Sequence, residues 1–205
     1  MRATLNCIGA DMNVYDFDNT IFDGDSTFRF VRFCMRRHPR ALLYLPAIGV
    51  ASLKYYAFHI GTKTRFKEKM YRFLRVCDTR ADVEAFWSRN LSHVKAFYRD
   101  LHRDNDVIVS ASPEFLLKPL EEKLSVTVIA SRVSPVDGTT VGENCYHEEK
   151  VRRFREVFPD GRIDAFYSDS YSDEPLALLA ERAYIVDGDR MIPWDYRHHK
   201  ENLRT

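Results

Sequence analysis

The sequence predicts an α/β fold, a Rossmann-like parallel sheet flanked by helices and interrupted by an inserted all-helical cap. Three observations predict it. Five short apolar runs, each bounded by turn residues, are separated by stretches of helical character, as expected of parallel strands joined by crossover helices. Residues 18–106, between the first and second runs, give no strand signal. The acidic motif Asp16-Phe17-Asp18-Asn19-Thr20 falls directly at the end of the first run.

Taken in order, Met1–Met12 holds no apolar stretch long enough for a secretory signal. Met12 can itself serve as the start, which would make residues 1–11 an unstructured leader. Asn13–Phe17 is the first strand. Helical spacing of apolar residues follows at Ser26–Arg37, Lys63–Val76 and Arg80–His102, the last carrying Val83, Phe86, Trp87, Leu91 and Val94. Val107–Val109 then forms a strand ending at Ser110, and a helix is expected over 113–124, with Pro113 at a favourable first-turn position. Strands at Val126–Ile129, Ala165–Tyr167 and Ala183–Val186 alternate with helices over 147–157 and 174–181. The expected division is a catalytic core at 12–25 and 105–205, with a helical cap at 26–104.

With 45% hydrophobic and 30% charged residues the chain is globular rather than disordered. Cys7, Cys34, Cys77 and Cys145 form no Cys-x-x-Cys pair, so reduced thiols in a cytoplasmic setting are expected, without a zinc or disulfide framework. The net charge of +1 hides an asymmetry. Residues 36–75 hold ten Lys or Arg against Glu68 alone, so this segment carries +9 and the remainder −8. Such a split suggests an anionic partner. Nucleic acid is not expected, because no binding motif accompanies the basic segment.

Inside that segment Ala41–Leu53 is uncharged for 13 residues, short of the ~20 that span a bilayer. Two readings stand: a helix buried within the cap, or a segment seated on an anionic membrane surface.

The chemistry begins at the first motif. Residues two apart on a strand point the same way, so Asp16 and Asp18 can project into one crevice at the carboxyl ends of the strands. Asp16 can attack phosphorus, and Asp18 can protonate the leaving oxygen and later activate water. Alone, the motif also fits a polar loop whose Asp residues cap a helix. Ser110 can donate to a phosphate oxygen, Ala111 and Ser112 leave space for it, and Lys150 can neutralise phosphoryl charge. Asp169 and Asp173, in Tyr-Ser-Asp-Ser-Tyr-Ser-Asp, can join Asp16 around a magnesium ion, a hard cation needing oxygen ligands.

Together these four elements, spanning roughly 12–187, resemble the four motifs of the haloacid-dehalogenase superfamily, in its phosphoserine-phosphatase-like branch with a helical cap after the first strand. The resemblance implies Asp16 as nucleophile, Asp18 as acid/base and Thr20 as a supporting hydroxyl. It implies Ser110 and Lys150 as phosphoryl ligands, with Ala111 beside them. Asp169 would ligate Mg²⁺ with Asp16 and the Asp18 carbonyl, and Asp173 would support the site. Arg-Arg-His-Pro-Arg, Val-Ser-Ala-Ser-Pro-Glu and Cys-Tyr-His-Glu-Glu-Lys look similar to the bacterial phosphatidylglycerophosphatase C enzymes, which act on a lipid phosphate at the membrane. Where relatives carry glycine, three residues before the motif lysine, this chain has His147, which either caps a helix or touches substrate. Asp25 stands where amino-acid phosphatases of the branch carry a substrate-contacting acid, or caps the helix from Ser26.

The expected function is a Mg²⁺-dependent phosphomonoesterase, cytoplasmic and peripheral to the membrane, on a lipid phosphate such as phosphatidylglycerophosphate. Phosphatase action on a soluble metabolite such as phosphoserine, or a membrane- or partner-binding module without activity, are the alternatives. Dehalogenation is disfavoured because that chemistry needs no acid/base at Asp18.

Overall fold

The computed structural model describes residues 12–196, so the leader considered at 1–11 lies outside the described residues. Strand β1 (Met12–Tyr15) is buried on both sides, as a near-continuous apolar run in a parallel sheet should be. Five helices follow before the next strand: α1 (Ser26–Arg37), α2 (Leu45–Tyr56), α3 (Lys63–Tyr71), α4 (Thr79–Asn90) and α5 (Ala96–Leu101). Then come β2 (Val107–Pro113), α6 (Glu114–Leu117), α7 (Leu120–Leu124), β3 (Thr127–Ser131), α8 (Glu148–Val157), β4 (Ile163–Ser168), α9 (Glu174–Ala177), β5 (Ala180–Asp187) and β6 (Arg190–Pro193).

The sheet order is β3-β2-β1-β4-β5-β6, with β1 at its centre. The first five strands are parallel, and β6 runs antiparallel to β5. This corrects the expectation of a wholly parallel sheet. The two residues between β5 and β6, Gly188 and Asp189, make a tight hairpin in which Gly188 takes φ 63°, a conformation glycine adopts freely. All four β6 residues are exposed, and Pro193 is tolerated because the strand lies at the edge. The expected helix at 113–124 is split into α6 and α7, Pro119 bringing no N–H to a continuous ladder. The helix expected at 174–181 ends at Ala177, because β5 already begins at Ala180.

Alternation along β1 serves two cores. Val14 packs on one side with Val109, Phe154, Phe166 and Trp194. Tyr15 packs on the other with Phe17, Phe30, Phe86, Trp87 and Tyr98. On that second side Tyr15, Tyr167 and Tyr184 stack in a row across β1, β4 and β5, with ring centroids 4.7 and 5.2 Å apart. The insertion is thus packed on the sheet by aromatic residues, each worth about 1.5–3 kcal/mol when fully buried. Trp87 of α4 also donates its indole N–H to the Leu116 carbonyl at 2.6 Å. Within the insertion buried Asp82 accepts from Arg37 at 2.9 Å and pairs with His38 at 2.6 Å, tying α4 to α1.

No strand lies between α1 and α5 among the described residues, and no helix there is long and apolar enough to cross a membrane. Of the two readings of Ala41–Leu53, burial fails. Ala41 and Ala51 are buried, but Leu42, Leu43, Leu45, Val50 and Leu53 are exposed, Leu43 at 80%. Ile48 is half-buried. Tyr56, Phe58 and Ile60 extend the exposed strip.

The loop between β3 and α8 meets the insertion at Gly138. A Cβ there would lie 2.4 Å from Tyr71 Cβ and 2.7 Å from its carbonyl, and φ is +77°. Gly138→Ala should therefore lower unfolding free energy by about 1–3 kcal/mol in urea titration.

Candidate active site

The crevice residues come from the carboxyl side of the sheet, from β2, from the loops after β1 and β4, and from the first turn of α8. Asp16 follows β1, its N–H bonded to the Tyr167 carbonyl of β4 at 2.8 Å. Ser110 lies within β2, Lys150 in the first turn of α8, and Asp169 directly after β4. Asp16, Asp18, Ser110, Ala111, Lys150, Asp169 and Asp173 line one crevice of about 170 Å³, so the sheet topology assembles them from positions up to 157 residues apart.

Lys150 sits at the centre, with its side chain 2% exposed. Its ammonium donates to Asp16 Oδ1 and to Asp173 Oδ2, each at 2.6 Å. Asp173 also accepts from Ser168 Oγ at 2.8 Å. Thr20 donates its hydroxyl to Asp16 Oδ2 at 3.4 Å and accepts the Asp169 N–H at 2.9 Å. Ser110 Oγ accepts the Ser112 N–H at 3.1 Å, which orients the hydroxyl at the crevice wall.

Burial lifts Asp16 to about 7, against the pull of Lys150 and with the push of Asp173 and Asp169. Burial also raises Asp169, and Asp173 adds to it. For Lys150 burial disfavours the charge, but Asp16 and Asp173 outweigh it and hold the ammonium above its ordinary range. One cation thus answers three carboxylates, and the surplus negative charge keeps Asp16 and Asp169 poised to take up positive charge. An all-oxygen donor set of this kind suits a hard dication such as Mg²⁺.

Asp18 is held differently. Its carboxylate accepts the Ser26 N–H at 2.7 Å and a short hydrogen bond from Ser112 Oγ. Thr27 Oγ1 pairs with Ser112 Oγ at 2.8 Å. Burial raises the Asp18 pKa, nearby Asp25 adds to it, and these hydrogen bonds oppose it. The net effect holds the Asp18 carboxyl above the ordinary carboxylate range, the direction that suits a general acid.

Several contributors were not singled out in the sequence. Ser26 and Thr27 had no recognisable signal, and Ser112 was read only as leaving space. Lys95 donates to the carbonyls of Asn19 and Gly188 at 2.6 and 2.8 Å, fastening the turn after β1 to the β5–β6 hairpin. Lys67, counted in the basic segment, reaches from α3 to the Ala111 carbonyl at 2.7 Å and to Asn144 Oδ1 at 2.8 Å. Asp25 resolves as a helix cap, accepting the Phe28 N–H at 2.7 Å.

His147 does not cap α8 through its side chain. It adopts φ 55°, ψ −127°, in the region glycine favours, and its side chain is exposed. The glycine expected at this position is thereby explained by the backbone. His147→Gly should raise stability by about 1 kcal/mol in thermal or urea unfolding, relief of strain outweighing the added freedom of the unfolded chain.

The description "haloacid dehalogenase-like hydrolase" belongs to the family whose model matches residues 14–178. Protein CicA of Caulobacter vibrioides (strain NA1000 / CB15N) is 32% identical over 193 residues, 84% of each chain. Among solved structures, a protein with unknown function from Bordetella pertussis Tohama I superposes with a TM-score of 0.71 at 18% identity over 95% of both chains. A phosphoserine phosphohydrolase-like protein from Francisella tularensis subsp. tularensis SCHU S4 gives 0.54 at 16% identity, over 95% of this chain and 93% of that one. These two structures share the fold. The family match runs from β1 past α9, through every element that supplies the crevice, and the chain belongs to the haloacid dehalogenase-like hydrolase family.

Proposed function

We propose that the chain is a phosphomonoesterase that forms an aspartyl-phosphate on Asp16, with residues 12–25 and 105–205 as catalytic core and 26–104 as cap. The observation that carries this is the buried Lys150 bridging Asp16 and Asp173 beside a second carboxyl, Asp18, whose pKa burial raises. Asp16 attacks phosphorus as the bond to the leaving oxygen breaks, and Asp18 gives that oxygen its proton. Asp18, now anionic, takes a proton from water, whose oxygen attacks phosphorus and releases orthophosphate and Asp16. Ser110, the Ala111 backbone and Lys150 bind the phosphoryl oxygens throughout. Asp16, the Asp18 carbonyl and Asp169 would hold Mg²⁺, which supplies charge stabilisation to the transferring group.

Asp16→Asn should reduce Mg²⁺-dependent hydrolysis of p-nitrophenyl phosphate by about a thousandfold or more, since the amide lacks the attacking anion. A pH signature accompanies it. The folded-state pKa of Asp16 is raised, so in EDTA its contribution is full below the unfolded value and lost as pH rises through about 7. Mg²⁺, which binds the ionised form, should therefore raise Tm more at about pH 8 than at about pH 5, and Asp16→Asn should flatten that difference. Near-normal turnover of Asp16→Asn would refute the mechanism.

The substrate reading rests on a separate observation, the exposed strip of Leu42, Leu43, Leu45, Val50, Leu53, Tyr56, Phe58 and Ile60 inside a segment of charge +9. Exposed apolar patches ringed by charge mark interaction surfaces, and basic residues near an anionic bilayer gain about 1 kcal/mol each. This favours a lipid phosphate over a soluble metabolite such as phosphoserine. Co-sedimentation with anionic vesicles should be salt-sensitive and should fall about tenfold for Leu43→Glu/Leu53→Glu. Equal recovery in the supernatant for both proteins would leave the soluble metabolite as the better reading.

A further inference from the structure

Helices α1 and α4 frame a second crevice, of about 320 Å³, that shares no lining residue with the first. Its polar lining is Arg29, Arg32 and Arg36 from α1 and Arg89 and Asn90 from α4, over Phe33 and Phe86. The three α1 arginines recur at i, i+3 and i+7, which places them on one helical stripe. No acidic side chain lines the crevice. Arg37, next in sequence, is neutralised by Asp82, and Arg29 has only Asp23 at 3.9 Å. Among the described residues Arg32, Arg36 and Arg89 make no ion pair.

Four like charges around one concavity repel, and free side chains would splay into water. Two of these are instead held by rings. Arg29 lies over Phe22 at 5.6 Å with its guanidinium 3.1 Å from His93 Nε2, and Arg89 lies over Phe33 at 5.9 Å. Guanidinium forks held in this way match the paired oxygens of phosphoryl groups, and several forks favour more than one such group. We infer that the α1–α4 crevice binds a ligand carrying two or more clustered phosphoryl groups, either a free oligophosphate or the same chemistry on a lipid headgroup. The site is independent of hydrolysis at Asp16.

Inorganic tripolyphosphate is titrated calorimetrically into the full chain in EDTA. Wild type should show binding stronger than that of orthophosphate. Arg32→Gln/Arg36→Gln/Arg89→Gln should weaken it by about tenfold or more, while Ser110→Ala, altered in the first crevice, stays within about twofold. The triple variant should stay folded, losing only the exposed Arg89–Phe33 ring contact, and should keep its turnover of p-nitrophenyl phosphate, because these side chains line no part of the first crevice. Flotation with vesicles containing a phosphoinositide bisphosphate, against phosphatidylserine vesicles of equal charge, distinguishes the sources. Selective recruitment lost in the triple variant assigns the lipid headgroup, and tripolyphosphate binding without it assigns the free ligand. No binding of tripolyphosphate by wild type, or equal binding by the folded triple variant, overturns the inference.

Discussion

The buried ion triad of Asp16, Lys150 and Asp173 is the constraint on which the rest of the architecture depends. An ammonium at 2% exposure is tolerable only if both its partners arrive with good geometry, since desolvation costs several kcal/mol per ion. Three separate parts of the chain must therefore converge: the end of β1, the first turn of α8 and the turn after β4. A central β1 flanked by β2 and β4 achieves this, because parallel strands end at the same edge of the sheet. The stacked tyrosines of β1, β4 and β5 hold the strands in that register from below. The arrangement remains electrically unbalanced, three carboxylates to one ammonium, which ties stability to whatever positive charge the crevice receives.

This explains which parts of the site were legible in the sequence. Asp16, Ser110, Lys150 and Asp169 follow apolar runs or open a helix, and a strand's end is a feature that local composition marks well. Ser26, Thr27 and Ser112 carry no such mark. Their importance comes from one long-range meeting, α1 of the insertion against β2, which sets them around Asp18. Lys67 and Lys95 were equally invisible, being ordinary basic residues until the fold brings each to a backbone carbonyl of the site. The antiparallel β6 was missed for the opposite reason. Its residues are all exposed, so no alternation betrays the strand, and only the Gly188-Asp189 turn signals it.

The helical insertion shows where apolar composition misleads. The uncharged stretch from Ala41 to Leu53 has the content of a buried helix, yet only Ala41 and Ala51 in it are buried. Burial is decided by what packs against a face, and the insertion's own core is already filled by Phe30, Phe73, Phe86 and Trp87. The leucines are left over. The basic residues of the 36–75 segment divide just as unevenly: Lys67 turns inward to the crevice wall and Arg37 to Asp82, while Arg36 and Arg40 stay exposed. A charge count over a segment cannot tell these fates apart.

The same contacts make the proposed acid, Asp18, a property of two units rather than one. Asp18 belongs to the loop after β1, but its surroundings are completed by the first turn of α1, whose Ser26 N–H and Thr27–Ser112 pair stabilise its anion. Lys67 fastens α3 to Ala111 in the strand that also carries Ser110. Any shift of the helical insertion relative to the sheet must therefore change hydrogen bonds at Asp18 and at the wall beside Ser110 together. Hydrogen bonds to the charged form lower a carboxyl's pKa and burial raises it, so a loosened insertion would take from Asp18 both the burial that lifts its pKa and the hydrogen bonds that oppose that lift. The two halves of the proposed reaction want opposite states of Asp18, and the contact between insertion and sheet is placed where it acts on both.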